Sequence, residues 1–154
     1  MPGGAGGAEN ERSVNQGLCP AYAPAKPERT DELWRHTCFE AFVSVADSPW
    51  YYEINLAPSS QWAVYRFDSY RKGMSSIEIT RKPEIAVRRS EYRLELDAVL
   101  RLDDLPDMYG ETGLKAALAA VLEAEDGTLS YWALAHQPGK PDFHHADTRI
   151  WSAS

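Results

Sequence analysis

The sequence predicts an all-β fold, a β-sandwich of jelly-roll or immunoglobulin-like type. Three observations predict it: apolar–polar alternation recurs along the chain, turn residues separate the alternating stretches, and an Asp-Gly pair at 126–127 marks a hairpin. The chain has 154 residues, of which 44% are hydrophobic, and this suits one domain with a single core. Charged residues make up 25%, as in ordinary globular proteins.

The overall charge and the cysteine content exclude several classes of function. A formal net charge of −7 argues against a nucleic-acid partner, because such a partner requires a basic surface. We find no apolar run typical of a signal peptide or a membrane span, so we expect no membrane partner and a cytoplasmic location. Two cysteines, Cys19 and Cys38, are too few for a disulfide framework, and Cys38 suits a small buried apolar side chain.

The chain divides by composition at about residue 30. Residues 1–30 include MPGGAGGAEN and CPAYAPAKPE, which are rich in Gly, Ala and Pro and lack periodicity. They predict a flexible arm, a few residues of which could attach to the domain. Residues 31–154 are predicted to form the β-sandwich domain.

The first predicted strand begins near Thr37 and has two distinct faces. Alternate residues give an apolar face, predicted to be the core face: Thr37, Phe39, Ala41, Val43 and Val45. The opposite face carries polar and aromatic side chains: His36, Cys38, Glu40, Phe42 and Ser44. Trp34 precedes Glu40 by six residues, at the entrance of the strand. A carboxylate beside aromatic residues, opposite a ready-made core face, suggests a ligand-binding surface.

The next two strands are predicted to form a hairpin around Pro58-Ser59-Ser60. With residues 58–61 as the loop, Ala57 lies opposite Trp62 and Glu53 lies opposite Arg66. One face is then apolar: Tyr52, Ile54, Leu56, Ala63, Tyr65 and Phe67. The other face is polar and aromatic: Tyr51, Glu53, Asn55, Trp62, Arg66 and Asp68. This register repeats the division seen in the first strand.

The remaining segments also favour strands. EIAVRR and EYRLELDAVLRL alternate, with Tyr92, Leu94 and Leu96 predicted to point inward, and DLPDMYGETG is predicted to be a loop. LKAALAAVLEAEDGTLSYWALA fits a helix by its Ala and Leu content, but Asp126-Gly127 favours a hairpin. A two-residue Asp-Gly turn would pair Leu122 with Tyr131 and Val121 with Trp132.

Four stretches together resemble the DOMON-like domain proteins related to the family-nine carbohydrate-binding modules: LWRHTCFEAFV, YYEINLAPSSQWAVYRFDSYRKGM, DGTLSYWALAH and GKPDFHHAD. The resemblance covers roughly residues 30–147. It implies a non-catalytic β-sandwich in which one surface binds sugar or haem. This chain departs from the family at both ends: the Gly/Pro-rich arm replaces strands that usually precede LW, and ADTRIWSAS replaces an apolar strand. We therefore expect the sandwich to lack an N-terminal edge strand.

The resemblance also implies roles for individual residues. A tryptophan and a glutamate six residues later border the sugar slot in the family, and Trp34 and Glu40 match that spacing. A second tryptophan closes the slot, and Trp132 is the candidate. From the predicted strand faces we add Glu53, Asn55, Trp62 and Arg66, since aromatic rings stack on sugar C–H faces while polar groups bind the hydroxyls. The predicted ligand is a small carbohydrate, with no cofactor required.

Several alternatives remain open at the level of sequence. The aromatic face could dock on a protein partner, which would make the domain structural rather than ligand-binding. Haem would need axial ligands such as His36, Met74, Met108 or His136, but no motif pairs them. Calcium occurs in some relatives, although no ligand set can be assigned here.

Metal and enzyme functions are further alternatives. A metal could bind the DFHHAD segment, whose adjacent histidines His144 and His145 would point to opposite sides of an extended chain. Glu40 and Glu53 could act as the paired carboxylates of a glycosidase. The predicted pairing with Arg66 argues against this, because it would lower the pKa of Glu53 and make it a poor acid.

Overall fold

The computed structural model describes residues 23–108, 110–111 and 113–153. The fold is an all-β sandwich, as the sequence predicts. Its strands are β1 (Cys38–Val45), β2 (Tyr51–Leu56), β3 (Trp62–Phe67), β4 (Ser75–Ser76), β5 (Glu84–Arg89), β6 (Leu94–Val99), β7 (Leu114–Glu123), β8 (Leu129–Ala133) and β9 (Trp151–Ala153). Three short 3-10 helices occur among the described residues: Leu33–Arg35, Leu102–Asp104 and Ala146–Thr148. None of them has the length and apolar character needed to cross a membrane.

Seven strands form one antiparallel sheet in the order β4-β3-β2-β1-β7-β8, with β9 paired to the other end of β7. The long hairpin β7–β8 is present, so the predicted hairpin is confirmed over the helix. A separate hairpin, β5–β6, belongs to the segment that covers one side of the sheet. Tyr92, predicted to point inward from this hairpin, is 89% exposed, so that prediction is wrong.

The two sides of the main sheet have different contents. One side, here called the apolar face, carries the buried residues Val43, Tyr52, Ile54, Trp62 and Val64. The segment from Ile77 to Met108 packs on it through side chains such as Ile79, Ile85, Leu105 and Met108. The opposite side, here called the pocket face, carries Cys38, Glu40, Phe42, Glu53, Asn55, Tyr65 and Phe67.

The opening strand β1 is buried on both sides rather than on one. Ala41, Val43 and Val45 pack on the apolar face, in agreement with the predicted core face. Cys38 and Phe42 on the pocket face are nevertheless fully buried. The alternation in this strand therefore separates two buried environments, one apolar and one partly polar.

The β2–β3 hairpin pairs one residue out of the predicted register. Tyr52 pairs with Arg66, Glu53 with Tyr65, and Leu56 with Trp62. The loop has three residues, 58–60, since the Ala57 N–H donates to the Gln61 carbonyl at 2.9 Å. Ser60 takes the left-handed conformation, with φ of +76°, that ends such a loop.

The β7–β8 hairpin departs from its predicted register in the same way. Val121 pairs with Tyr131, and the Ala124 N–H donates to the Thr128 carbonyl. The loop is again three residues long, with the φ of Gly127 at +82°. The predicted two-residue turn would require Asp126 also at positive φ, which it does not have.

The predicted N-terminal arm lies largely outside the described residues, as does Cys19. Its last residues contact the domain. Ala25 donates its N–H to the Ser59 carbonyl, Trp62 donates to Glu28, and Thr30 donates to Trp62. Residues 28–30 therefore lie along the outer edge of β3 and provide part of the edge that the sequence predicts to be missing.

Candidate ligand-binding pocket

A cavity of about 380 Å³ opens on the pocket face of the main sheet. Its walls combine aromatic rings with buried carboxyl groups. The lining residues are Trp34, Glu40, Glu53, Phe67, Arg71, Met74, Val121, Tyr131, Pro141, Phe143 and His144. A cavity of this size is at the lower end of the range for small-molecule sites, about 300 to 1,000 Å³.

Trp34 is held at the pocket by the short helix Leu33–Arg35. The neighbouring Leu33 is buried in the core of the pocket face. The indole of Trp34 meets the ring of Tyr65 edge-on, with 5.6 Å between ring centroids. The Tyr65 hydroxyl in turn donates to Asp31 at 2.6 Å. One edge of the tryptophan is thus fixed by the core, while the ring also lines the cavity.

Glu40 contributes a buried carboxyl group from β1. Only 6% of the residue is exposed, and it has no hydrogen-bond or ion-pair partner among the described residues. Burial, with a smaller contribution from the nearby carboxylate of Glu53, raises the pKa of Glu40 to about 8. At neutral pH Glu40 is therefore mainly a neutral acid that can both donate and accept a hydrogen bond.

Glu53 contributes the second carboxyl group, from β2. The Asn55 side-chain amide donates to Glu53 Oε1 at 2.9 Å. Burial raises the pKa of Glu53, and this effect outweighs the Asn55 hydrogen bond and the positive charge of Arg71, which lower it. The other amide atom of Asn55, Oδ1, is buried without a partner in the described part of the chain. The polar floor of the pocket is therefore incompletely satisfied by the protein itself.

His144 closes one side of the pocket from the segment after β8. Its ring packs edge-on against Phe42 and Phe67, and its Nδ1 lies 2.8 Å from the Tyr51 hydroxyl. Its Nε2 lies 3.6 Å from Glu53 Oε2. Burial, with help from the charge of Arg71, lowers the pKa of His144 to about 4, so the imidazole is neutral at neutral pH.

Arg71 is the cation that lines the pocket, and it is already paired. Its guanidinium donates to Asp142 Oδ1 at 2.8 Å, and the Tyr70 hydroxyl donates to the other oxygen of Asp142. These contacts tie the loop after β3 to the segment that carries His144. Arg71 is therefore paired with Asp142, and its charge offsets only part of the rise in the pKa of Glu53 that burial causes.

The structure brings together some of the predicted site residues. Trp34, Glu40 and Glu53 all line the cavity. Asn55 lies directly behind them, fully buried and bonded to Glu53.

Trp62 and Arg66 are on the opposite side of the sheet, so their predicted place beside Glu53 is wrong. Trp62 is part of the core of the apolar face. Arg66 lies 2.6 Å from Asp68 and stacks on the ring of Trp50. The predicted Glu53–Arg66 pair does not form, and the pKa of Glu53 is raised rather than lowered. This removes the argument against an enzyme that depended on the pair.

Trp132 is also on the other side, because β8 pairs one residue away from the predicted register. It lies opposite Ala120 and is 60% exposed, and its indole donates to Ser130. Tyr131, opposite Val121, lines the pocket in its place. The sequence analysis did not predict Tyr131, Arg71 or Phe143 as pocket residues. Tyr131 follows from a three-residue loop at 125–127, because that loop length places it opposite Val121.

The four residues considered for haem are divided: Met74 lines the pocket and His136 packs against the pocket residue Phe143, whereas His36 and Met108 lie elsewhere. His36 pairs with Glu123 at 2.8 Å, and Met108 is buried on the apolar face, away from the pocket. In DFHHAD, His145 accepts from the Asp147 N–H within its own turn, whereas His144 points to the pocket. Among the described residues no group of three or more His, Cys, Asp or Glu side chains could hold a metal ion.

No protein-family model, no curated protein and no solved structure matches this chain. The resemblance to the DOMON-like proteins therefore stays a prediction.

Proposed function

We propose that this protein is a non-catalytic ligand-binding module whose pocket binds a small carbohydrate. The observation that carries the proposal is the combination of a buried, unpartnered carboxyl group with aromatic walls in one small cavity. Trp34 and Tyr131 offer ring surfaces to the C–H faces of a sugar. Glu40 and Glu53 offer acceptors for its hydroxyls, and the protonated Glu40 also offers a donor.

The proposal explains why the sheet buries a carboxyl group without a partner, which a purely structural role would not require. Burying a carboxyl group without a partner disfavours folding, and sheets of ordinary proteins avoid it. A bound sugar would supply the missing hydrogen bonds at the pocket floor. It would also cover the aromatic walls, so the polar groups would gain hydrogen bonds while the apolar rings were removed from water.

The direct test is a titration of tryptophan fluorescence with glucose, cellobiose and xylose. Wild type is compared with Trp34→Ala and with the matched control Trp132→Ala, after circular dichroism shows that all three are folded. We expect a saturable change in wild type and in Trp132→Ala that disappears in Trp34→Ala. No change with any sugar in folded wild type would refute the proposal. Release of nitrophenol from nitrophenyl glycosides would refute its non-catalytic part.

A second candidate is docking on another protein through a different surface. Leu118, Trp132, Leu134 and Trp151 are each more than half exposed. Leu118, Trp132 and Trp151 lie on the side of the sheet opposite the pocket. Leu134 follows β8 and donates its N–H to the Leu118 carbonyl. Apolar surface of this kind commonly marks a protein contact. Sedimentation velocity tests whether a second copy covers it: association that Trp132→Ser abolishes supports this candidate, and a monomer at high concentration contradicts it for self-docking.

A further inference from the structure

The pocket floor carries two acidic side chains and, among the described residues that line it, no basic side chain free to pair with them. Glu40 is about nine-tenths buried and faces the cavity without any partner in the described chain. Glu53 is on the neighbouring strand and the same face, and its one hydrogen-bond donor within the described part of the chain is the neutral amide of Asn55. Two carboxyl groups therefore share a partly desolvated site, and the described residues that line it include no unpaired cation.

The other titratable groups that face the site do not supply a free positive charge. Arg71 is committed to Asp142 at the rim. His144 is close to Glu53 but is neutral at neutral pH. On β1 the Cys38 thiol has its pKa raised well above its usual value by burial, and Tyr51 on β2 likewise has a raised pKa, so both are neutral. Arg149 lies over the ring of Tyr51, 4.5 Å from the ring centroid, and is not among the residues that line the cavity.

The aromatic walls complete a site that suits a positive group. Trp34 and Tyr131 line the same cavity as the two carboxyl groups. The faces of such rings attract cations as well as sugar C–H groups. A neutral sugar would use the rings and leave Glu40 mainly protonated, whereas a sugar with an ammonium group would use the rings and also form ion pairs with the two acids.

We infer that the pocket selects an amino sugar, with Glu40 and Glu53 as the counter-charges of its ammonium group. This inference rests on the proposed carbohydrate-binding function and narrows its ligand class. Glu40 is mainly protonated in the free protein, so pairing with the cation ionises it and releases a proton to solvent. A neutral sugar binds without that release.

The test is isothermal titration calorimetry with glucose, glucosamine and N-acetylglucosamine, at about pH 6 and about pH 7, in two buffers of different ionisation enthalpy. We expect glucosamine to bind about tenfold more tightly than the two neutral sugars, since charge-assisted hydrogen bonds are roughly twice as strong as neutral ones. Its affinity should rise between the two pH values, and its binding should release protons. Glucose affinity should change little.

Variants assign the effect to the inferred groups. Glu40→Gln, which keeps the shape of the side chain, should bring the ratio of glucosamine affinity to glucose affinity close to one and should abolish the proton release, whatever its effect on glucose binding itself. Glu53→Gln should weaken the same preference. The exposed Glu125→Gln is the matched control and should behave as wild type.

The outcomes separate the two proposals. Glucose binding that equals or exceeds glucosamine binding would overturn the amino-sugar inference and leave the carbohydrate proposal intact. A glucosamine preference that persists in Glu40→Gln would also overturn it, because the counter-charge would then lie elsewhere. Absence of binding by all three sugars to folded protein would overturn both.

Discussion

The two faces of the main sheet are built by alternate residues of the same strands, yet one is packed with apolar side chains and the other buries carboxyl groups. On β2, Ile54 points to the apolar face and packs against the covering segment, while its neighbours Glu53 and Asn55 point to the pocket face. All three are almost fully buried. Apolar burial stabilises the fold, whereas buried carboxyl groups without partners oppose it. The apolar face thus contributes the free energy of folding that offsets the cost of burying carboxyl groups on the pocket face.

The largest effect should come from the apolar face. Ile54→Ala removes a buried side chain that is 4% exposed, and we expect it to lower the free energy of unfolding by about 2–5 kcal/mol. Urea unfolding followed by circular dichroism measures this change. Ile150→Ala is the matched control, since Ile150 is 59% exposed and should cost little. Equal losses in both variants would contradict the difference in packing.

Substitution of Glu40, on the pocket face, should raise rather than lower the free energy of unfolding at higher pH. The pKa of Glu40 is about 8 in the folded protein against a usual 4.5, so its contribution to stability is full below about pH 4.5 and is lost as pH rises through about 8. The loss can reach about 1.4 kcal/mol per pH unit. Glu40→Gln should remove this slope and be the more stable protein near pH 8.

The pH range of that measurement is set by His144. The pKa of His144 is lowered from 6.5 to about 4, so its contribution has the opposite sign below about pH 6.5 and is constant above it. Glu53, whose pKa is also raised, contributes to the slope of both proteins. The difference between wild type and Glu40→Gln in urea unfolding between about pH 6.5 and about pH 8 therefore measures the contribution of Glu40. Parallel pH profiles for the two proteins would show that the folded-state pKa of Glu40 is ordinary.

Neighbouring residues on β8 offer a finer test, because they lie on opposite sides of the sheet. Tyr131→Ala should weaken sugar binding by about 2- to 10-fold, the range expected for loss of one aromatic contact. Trp132→Ala should leave the affinity unchanged. The fluorescence titration measures both, and a larger effect from Trp132 would mean that the strand pairs in the register of a two-residue turn.

The smallest effect is expected at Arg66. Its guanidinium pairs with Asp68 and stacks on Trp50, away from the pocket. Arg66→Gln should change sugar affinity less than about twofold and stability by less than about 1 kcal/mol. A strong loss of affinity would restore the predicted pairing of Arg66 with Glu53.

The sequence predicted the strands well and their relative register less well. Alternation and turn residues located β1, β2, β3, β7 and β8, but both hairpin registers were wrong by one residue. The cause is shared: each loop has three residues and ends in a left-handed residue, Ser60 or Gly127. Serine gives little signal for that conformation, and Asp-Gly is typical of two-residue turns as well.

The candidate site was predictable where its residues belong to one short segment or to the faces of the neighbouring strands β1 and β2. Trp34 and Glu40 are linked by a short segment, so their spacing carries information. His144 and Phe143 reach the pocket from the segment after β8, and Arg71 comes from the loop after β3. Periodicity cannot predict such distant contacts. It also could not show that Glu40 is buried, since a polar residue on an alternating strand is ordinarily on the solvent side.

The three-residue loop at 125–127 has a consequence for how this pocket could change over generations. Every side chain of β8 moves to the other side of the sheet if the loop shortens to a two-residue turn while the chain length stays the same. Tyr131 would then leave the pocket and Trp132 would enter it. A substitution in a solvent-exposed loop, remote from any ligand, would thereby exchange one aromatic wall for another, so ligand preference could diverge without mutation of the pocket itself.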